Sequence, residues 1–138
     1  SQIKMPGTAR SKDDAIRETG EILVDAGAVT PAYIDSMFDR ERSVSTYMGN
    51  YLAIPHGTNE SKESIKRSAL SVVRYAEPID WDGNEVLFAL GIAGYQGGHM
   101  DILSRIALVF SDTDEVDKLV AAKSAEEIYD LLNAVNEE

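Results

Sequence analysis

Hydrophobic residues recur with two different periods along this chain, and the change of period marks its elements. Near the start, Ile16, Gly20, Leu23 and Gly27 fall at helical spacing. Ser11 precedes them as an N-cap, Asp13 and Asp14 lie in the first turn, and Gly27 suits a C-terminal stop. Thr30-Pro31 opens a second helix, with Thr as the cap and Pro at the first helical position. Its apolar face is Ile34, Met37 and Phe38, and it runs to about Arg42. Ser43–Asn50 is polar and reads as a loop, Tyr51–Pro55 as a strand and Gly57–Ser61 as a second loop.

Ser68–Tyr75 has the alternation of a half-buried strand, and Asp82-Gly83 marks a turn. Glu85–Ala93 is apolar almost throughout, the pattern of a central strand covered on both faces. Helical period returns over His99–Phe110, where Ile102, Leu103, Ile106, Ala107 and Phe110 share a face. It continues over Asp112–Lys123 through Val116, Leu119 and Val120. Ser124-Ala-Glu-Glu127 fits a capping box and opens a last helix holding Ile128, Leu131 and Leu132. Residues 1–10 carry little pattern and are either a short strand or a partly disordered lead-in. Helices at both ends with strands between them predict one α/β domain over residues 1–138, its mixed β-sheet flanked by helices on both faces.

Composition narrows the function classes. An apolar fraction of 43% and a charged fraction of 27% are those of an ordinary globular protein. A net charge of −11 argues against nucleic acid, which needs concentrated Lys and Arg, and favours a partner with a positive face. There is no cysteine, so thiol nucleophiles, thiolate zinc sites and disulfides are excluded. No apolar run has the length of a membrane span, and the chain opens without a secretory or transit pattern, so a cytoplasmic protein not embedded in a membrane is expected. The two histidines stand 43 positions apart with no HExxH or clustered Asp pattern, and neither a metal nor another cofactor is expected.

A small set of residues remains for chemistry. Pro55-His56-Gly57 ends an apolar, extended segment; Pro55 cannot donate to a ladder, so it stops pairing and exposes the residue after it. His56 is then either a surface or structural histidine, or a nucleophile with one ring nitrogen held and the other available, with the Thr58 hydroxyl beside it. His99 comes after Gly97-Gly98 at a helix start, where an anion is favoured, but it also aligns with Ile102 and Leu103 as a histidine at the core's edge would. Arg40 is a candidate cation within Asp39-Arg40-Glu41-Arg42, a run that also reads as a solvated helix end. Gly94–Gly98 is glycine-rich but is not a GxxxxGK[ST] phosphate loop. No spacing rule joins these parts.

The motifs themselves are more specific. Arg40-Glu41, then Ser45-Thr46-Tyr47-Met48-Gly49-Asn50, then Leu52-Ala53-Ile54-Pro55-His56-Gly57-Thr58, resemble the pattern RE…STYxGN…IAIPHGT. Gly91-Ile92-Ala93 followed by His99-Met100-Asp101-Ile102-Leu103-Ser104-Arg105-Ile106-Ala107 resembles GIA…HxxILSxIA. Both blocks are those of IIA components of the bacterial phosphoenolpyruvate-dependent sugar phosphotransferase system, mannitol/fructose family, and STYMGN with PHGT favours the mannitol type. The likeness extends from about Ser11 onward.

That resemblance implies a mixed sheet flanked by helices and a metal-independent phosphotransferase component. It implies a phosphocarrier that accepts a phosphoryl group from phosphohistidine on the carrier HPr and passes it to a cysteine of a IIB component during sugar uptake. By the same resemblance His56 is phosphorylated at Nε2, His99 is the second active-site histidine that steadies the phosphoryl group, and Arg40 supplies nearby positive charge. Backbone N–H groups near Gly57 and Thr58 are further candidates for binding the phosphoryl oxygens, and Leu52, Ile54 and Met100 for an apolar rim that excludes water. The alternative is a nitrogen-type or other regulatory IIA-like module whose histidine phosphorylation controls a partner protein.

Overall fold

In the computed structural model, which describes residues 3–57, 64–67, 69–93, 104, 106, 108–124 and 126–128, the apolar run lies at the centre of a five-stranded sheet. The strands are β1 (Ile3–Lys4), β2 (Tyr47–Gly49), β3 (Leu52–Ala53), β4 (Ala69–Trp81) and β5 (Asn84–Ala93), in the spatial order β1-β4-β5-β3-β2. β4 and β5 are antiparallel, β1 runs parallel to β4, β3 runs parallel to β5, and β2 closes the far edge antiparallel to β3. The sheet is therefore mixed. Asp82 and Gly83, both at positive φ (55° and 94°), join β4 to β5 as a two-residue hairpin.

Alternation along β5 divides the core in two. Ala89 and Ala93, and Val86 across an irregularity at Leu87-Phe88 where both N–H groups meet the Tyr51 carbonyl, face one layer with Ala15, Ile16, Leu23, Tyr33 and Met37, from helices α1 (Lys12–Asp25) and α2 (Ala32–Ser43). Phe88, Leu90 and Ile92 face the other with Ile106, Val109, Phe110, Val116 and Leu119; the last two belong to helix α3 (Thr113–Ala121). Helices thus cover both faces, which is why β5 is apolar on both. Phe88 and Phe110 meet edge-to-face at 5.5 Å and 71°. Gly91 lets α1 come close: a Cβ there would lie 2.5 Å from Ser71 Oγ and 2.8 Å from Thr19 Cβ.

Ser11 and Ser124 cap where the sequence places them, but Thr30 does not: the N-cap of α2 is Pro31, and no side chain bonds to the first turn there. Ser11 Oγ accepts from the Asp14 N–H at 3.2 Å, Asp112 Oδ1 from Asp114 at 2.9 Å, and Ser124 Oγ from Glu127 at 3.2 Å. Gly27 comes just after α1 with φ 75°. Of the readings for residues 1–10, the strand is found: Ile3 and Lys4 pair with Val72 and Val73. The Glu18 carboxylate then accepts from Thr8 N (2.9 Å), Thr8 Oγ1 (2.8 Å), Ala9 N (3.3 Å) and the Tyr75 hydroxyl (2.8 Å), and pairs with Lys4 Nζ at 2.8 Å.

Three further expectations need correction. Residues 43–50 are not all loop, since β2 forms within them where Tyr47 finds Ala53 as a partner. β4 runs on past Tyr75 to Trp81, with an irregular stretch between Arg74 and Ile79 that absorbs the polar residues and Pro78. The inner face of α2 is turned so that Tyr33, Ser36, Met37 and Glu41 are buried, while Ile34 and Phe38 are only partly covered. Among the described residues, no helix is long and apolar enough to cross a membrane.

Candidate functional site

The end of β3 carries the candidate nucleophile. Leu52 and Ala53 pair with Phe88 and Ala89, and the same parallel register reappears at His56, which bridges to Ile92. Between them, the Ile92 N–H donates to the Pro55 carbonyl at 3.0 Å. Pro55 offers an acceptor but no donor, so one side of its backbone can pair and the other cannot. His56 therefore stands on a rung that this segment shares with β5 and is partly exposed.

Its ring is oriented by its own strand. Nδ1 lies 2.8 Å from the Ile54 carbonyl oxygen. A carbonyl only accepts, so Nδ1 carries the proton, and in the neutral ring the lone pair sits on Nε2. This is the tautomer that nucleophilic use of Nε2 requires.

Sequence reasoning missed the residue that fixes the backbone on the far side. The Tyr33 hydroxyl, on α2, accepts from the Gly57 N–H at 2.9 Å and donates to the Ile92 carbonyl at 2.7 Å. Burial raises its pKa, and the Gly57 bond offsets part of that rise, so the phenol keeps its proton. Tyr33 sits in α2 just before residues read only as an apolar face, and nothing in its spacing announces a polar role.

The motif residues before His56 build its support. Glu41 is 5% exposed; its carboxylate accepts from Thr46 N (3.0 Å), Thr46 Oγ1 (2.5 Å) and the Trp81 indole N–H (3.1 Å). The charge run is therefore solvated only in part. Gly49, Asn50 and Tyr51 come next at φ 90°, 50° and 67°, the left-handed turn that returns β2 into β3. Asn50 Nδ2 anchors that turn to the Phe110 carbonyl at 2.6 Å, and the Tyr51 carbonyl accepts from Leu87 and Phe88.

Other expected site residues fare differently. Arg40 gives its guanidinium to the Val44 carbonyl at 2.7 Å, at the end of α2, and no bond joins it to His56. Leu52 and Ile54 are buried at 1% and 4%, beneath the sheet's second face, so they are core and not rim. The Gly57 N–H is engaged by Tyr33 and is not a free donor for phosphoryl oxygens. His99, Thr58, Met100 and the Gly94–Gly98 stretch lie outside the described residues. Among the described residues no group of three or more His, Asp or Glu is placed to hold a metal ion.

The family model of the phosphoenolpyruvate-dependent sugar phosphotransferase system, EIIA 2, matches residues 1–135. The chain belongs to this family. Among the EIIA 2 chain's relatives, a mannitol-specific phosphotransferase enzyme IIA component from Halalkalibacterium halodurans is 50% identical over 135 residues, 98% of this chain and 93% of the relative. The protein of the same name from Staphylococcus aureus is 54% identical over 118 residues, 86% of this chain and 82% of the relative. In structure, the EIIA 2 chain superposes with a TM-score of 0.90 and 29% identity on a solved complex of enzyme IIAMTL and phosphorylated enzyme IIBMTL from Escherichia coli, covering 96% of this chain and 94% of that one. The mixed sheet under helices is thus the family's fold, and the chain is a IIA phosphotransferase component.

Proposed function

We propose that this chain is the mannitol-type phosphocarrier: His56 Nε2 takes a phosphoryl group from phosphohistidine on HPr and hands it to a cysteine of a IIB partner. The observation that carries the reading is the 2.8 Å contact between Nδ1 and the Ile54 carbonyl, which assigns the lone pair to Nε2 at the sheet's end. Support for the substrate comes from relatives named mannitol-specific, and for the acceptor from the neighbour solved with phosphorylated IIB.

In the proposed step the Nε2 lone pair forms the new N–P bond as the donor's N–P bond breaks, and the donor imidazole keeps that electron pair. The product ring is an imidazolium phosphorylated on Nε2, whose Nδ1–H charge is held by the Ile54 carbonyl. Onward attack by a thiolate of IIB breaks the Nε2–P bond and returns a neutral ring, a good leaving group. Transfer of this kind depends on positioning and on charge around three equatorial oxygens, and the reading assigns that charge to His99 and Arg40 without a metal. With HPr as donor, the reaction belongs to the cytoplasm. A net charge of −11 favours approach by a carrier with a positive face.

The test is phosphorylation with phosphoenolpyruvate, enzyme I and HPr, read by intact mass on wild type and His56→Ala. An acid-labile phosphoryl group on wild type alone is expected, followed by its loss to a mannitol IIB domain. An unmodified wild type, beside a control IIA that the same HPr phosphorylates, refutes the phosphocarrier. Phosphorylation without onward transfer to any sugar IIB would favour the regulatory alternative.

A further inference from the structure

We propose that Tyr33 is a positioning residue of this site, tying the Gly57 backbone after His56 to Ile92 on the neighbouring strand so that Nε2 keeps its aim. The inference rests on the reading of His56 as phosphoryl acceptor. In a parallel ladder of this register, the Ile92 N–H pairs with the Pro55 carbonyl, and the next rung joins the Gly57 N–H to the Ile92 carbonyl. The first rung is present at 3.0 Å. At the second, the Tyr33 hydroxyl links the two groups, accepting from Gly57 at 2.9 Å and donating to Ile92 at 2.7 Å.

This makes one side chain on α2 responsible for the rung that follows His56. Tyr33 is 3% exposed and packs in the layer between the sheet and α1 and α2, so α2 itself braces the backbone at Gly57. Its placement reaches the ring indirectly. His56 is locked through Nδ1 to Ile54, two residues before it, and that contact holds only while the chain from Ile54 to Gly57 keeps its curvature. Tyr33 does not act as acid or base here: both its hydrogen bonds go to backbone groups.

Tyr33→Phe keeps the buried ring and removes only the hydroxyl. With phospho-HPr as the probe, the maximal rate of His56 phosphorylation should fall roughly 10- to 100-fold, the range that misplacement of a reacting group costs. The KM for phospho-HPr should change less than about threefold, because the phenol is buried away from any carrier. Long-range proton–nitrogen NMR should show His56 leaving the pure Nδ1–H tautomer. Tyr75→Phe serves as the control, since it removes another buried hydroxyl, bonded to Glu18. It should keep both the rate and the His56 spectrum.

A folded Tyr33→Phe with wild-type rate and unchanged His56 signals overturns the inference, as does an equal rate loss in both variants with the tautomer intact. If Tyr33→Phe does not fold, hydrogen exchange on wild type decides: a protected Gly57 amide is expected, and one exchanging as fast as an open loop overturns the role. A wild type that accepts no phosphoryl group removes the acceptor reading itself, before Tyr33 is tested.

Discussion

Glu18→Gln should destabilise the protein in a way that depends on pH, and the dependence is the informative part. Glu18 is 8% exposed on the inner side of α1, yet it stays ionised. Burial works against its charge, but Lys4, the Thr8 N–H and hydroxyl, and the Tyr75 hydroxyl outweigh that and lower its pKa from 4.5 to about 2. The gap between those values corresponds to roughly 3 kcal/mol, and to nearer 2 once screening of the half-exposed Lys4 is allowed for. Since the folded-state value lies below the unfolded one, this stability is fully present above pH 4.5, shrinks as the pH falls toward about 2, and is gone below that. Gln resembles the protonated acid, so the variant should be less stable by roughly 2–3 kcal/mol at neutral pH and should draw closer to wild type between pH 4.5 and pH 3. Urea unfolding at a series of pH values measures this directly. A penalty that stays constant from pH 7 to pH 3 would refute the electrostatic account and reduce Glu18 to a packing group.

Glu41→Gln should cost about 2–3 kcal/mol, because three hydrogen bonds to one buried carboxylate are reorganised. It should also shift the emission of Trp81, the single tryptophan; an unmoved spectrum would show that the indole does not depend on Glu41. Gly91→Ala places a Cβ 2.5 Å from Ser71 Oγ and 2.8 Å from Thr19 Cβ, so thermal unfolding should reveal a loss of about 3 kcal/mol. His99→Ala should still accept phosphoryl groups but pass them to IIB roughly a hundredfold more slowly, as removal of one charge-stabilising group does, and full forward transfer would remove His99 from the site.

The sheet's centre and the caps of the first and last helices were legible because each depends on local residues. Glu85–Ala93 is apolar on both faces since helices cover both, and Ser11 and Ser124 cap with side chains that reach only three residues along the chain. His56 was legible for a related reason: a proline that cannot donate, next to a histidine, is a local signal. The features that escaped the sequence depend on distant partners. β2 has only three residues and exists because β3 lies beside it. Glu41 looks like part of a surface charge run until Trp81, 40 positions away, turns out to share it. Tyr33 gives no sign of its two bonds, since both partners, Gly57 and Ile92, lie in other elements. In the same way, Leu52 and Ile54 look like a rim in one dimension and are floor in three.

The fixed Nδ1 contact also constrains traffic. With that nitrogen committed to Ile54, the proposed route leaves a single ring atom for both arrival and departure of the phosphoryl group. In-line displacement requires donor and recipient to stand opposite that atom, along the same line. On the proposed route, HPr and IIB therefore compete for one berth and cannot be seated together. Throughput is then bounded by how quickly the first visitor leaves, which rewards a short residence time over tight affinity.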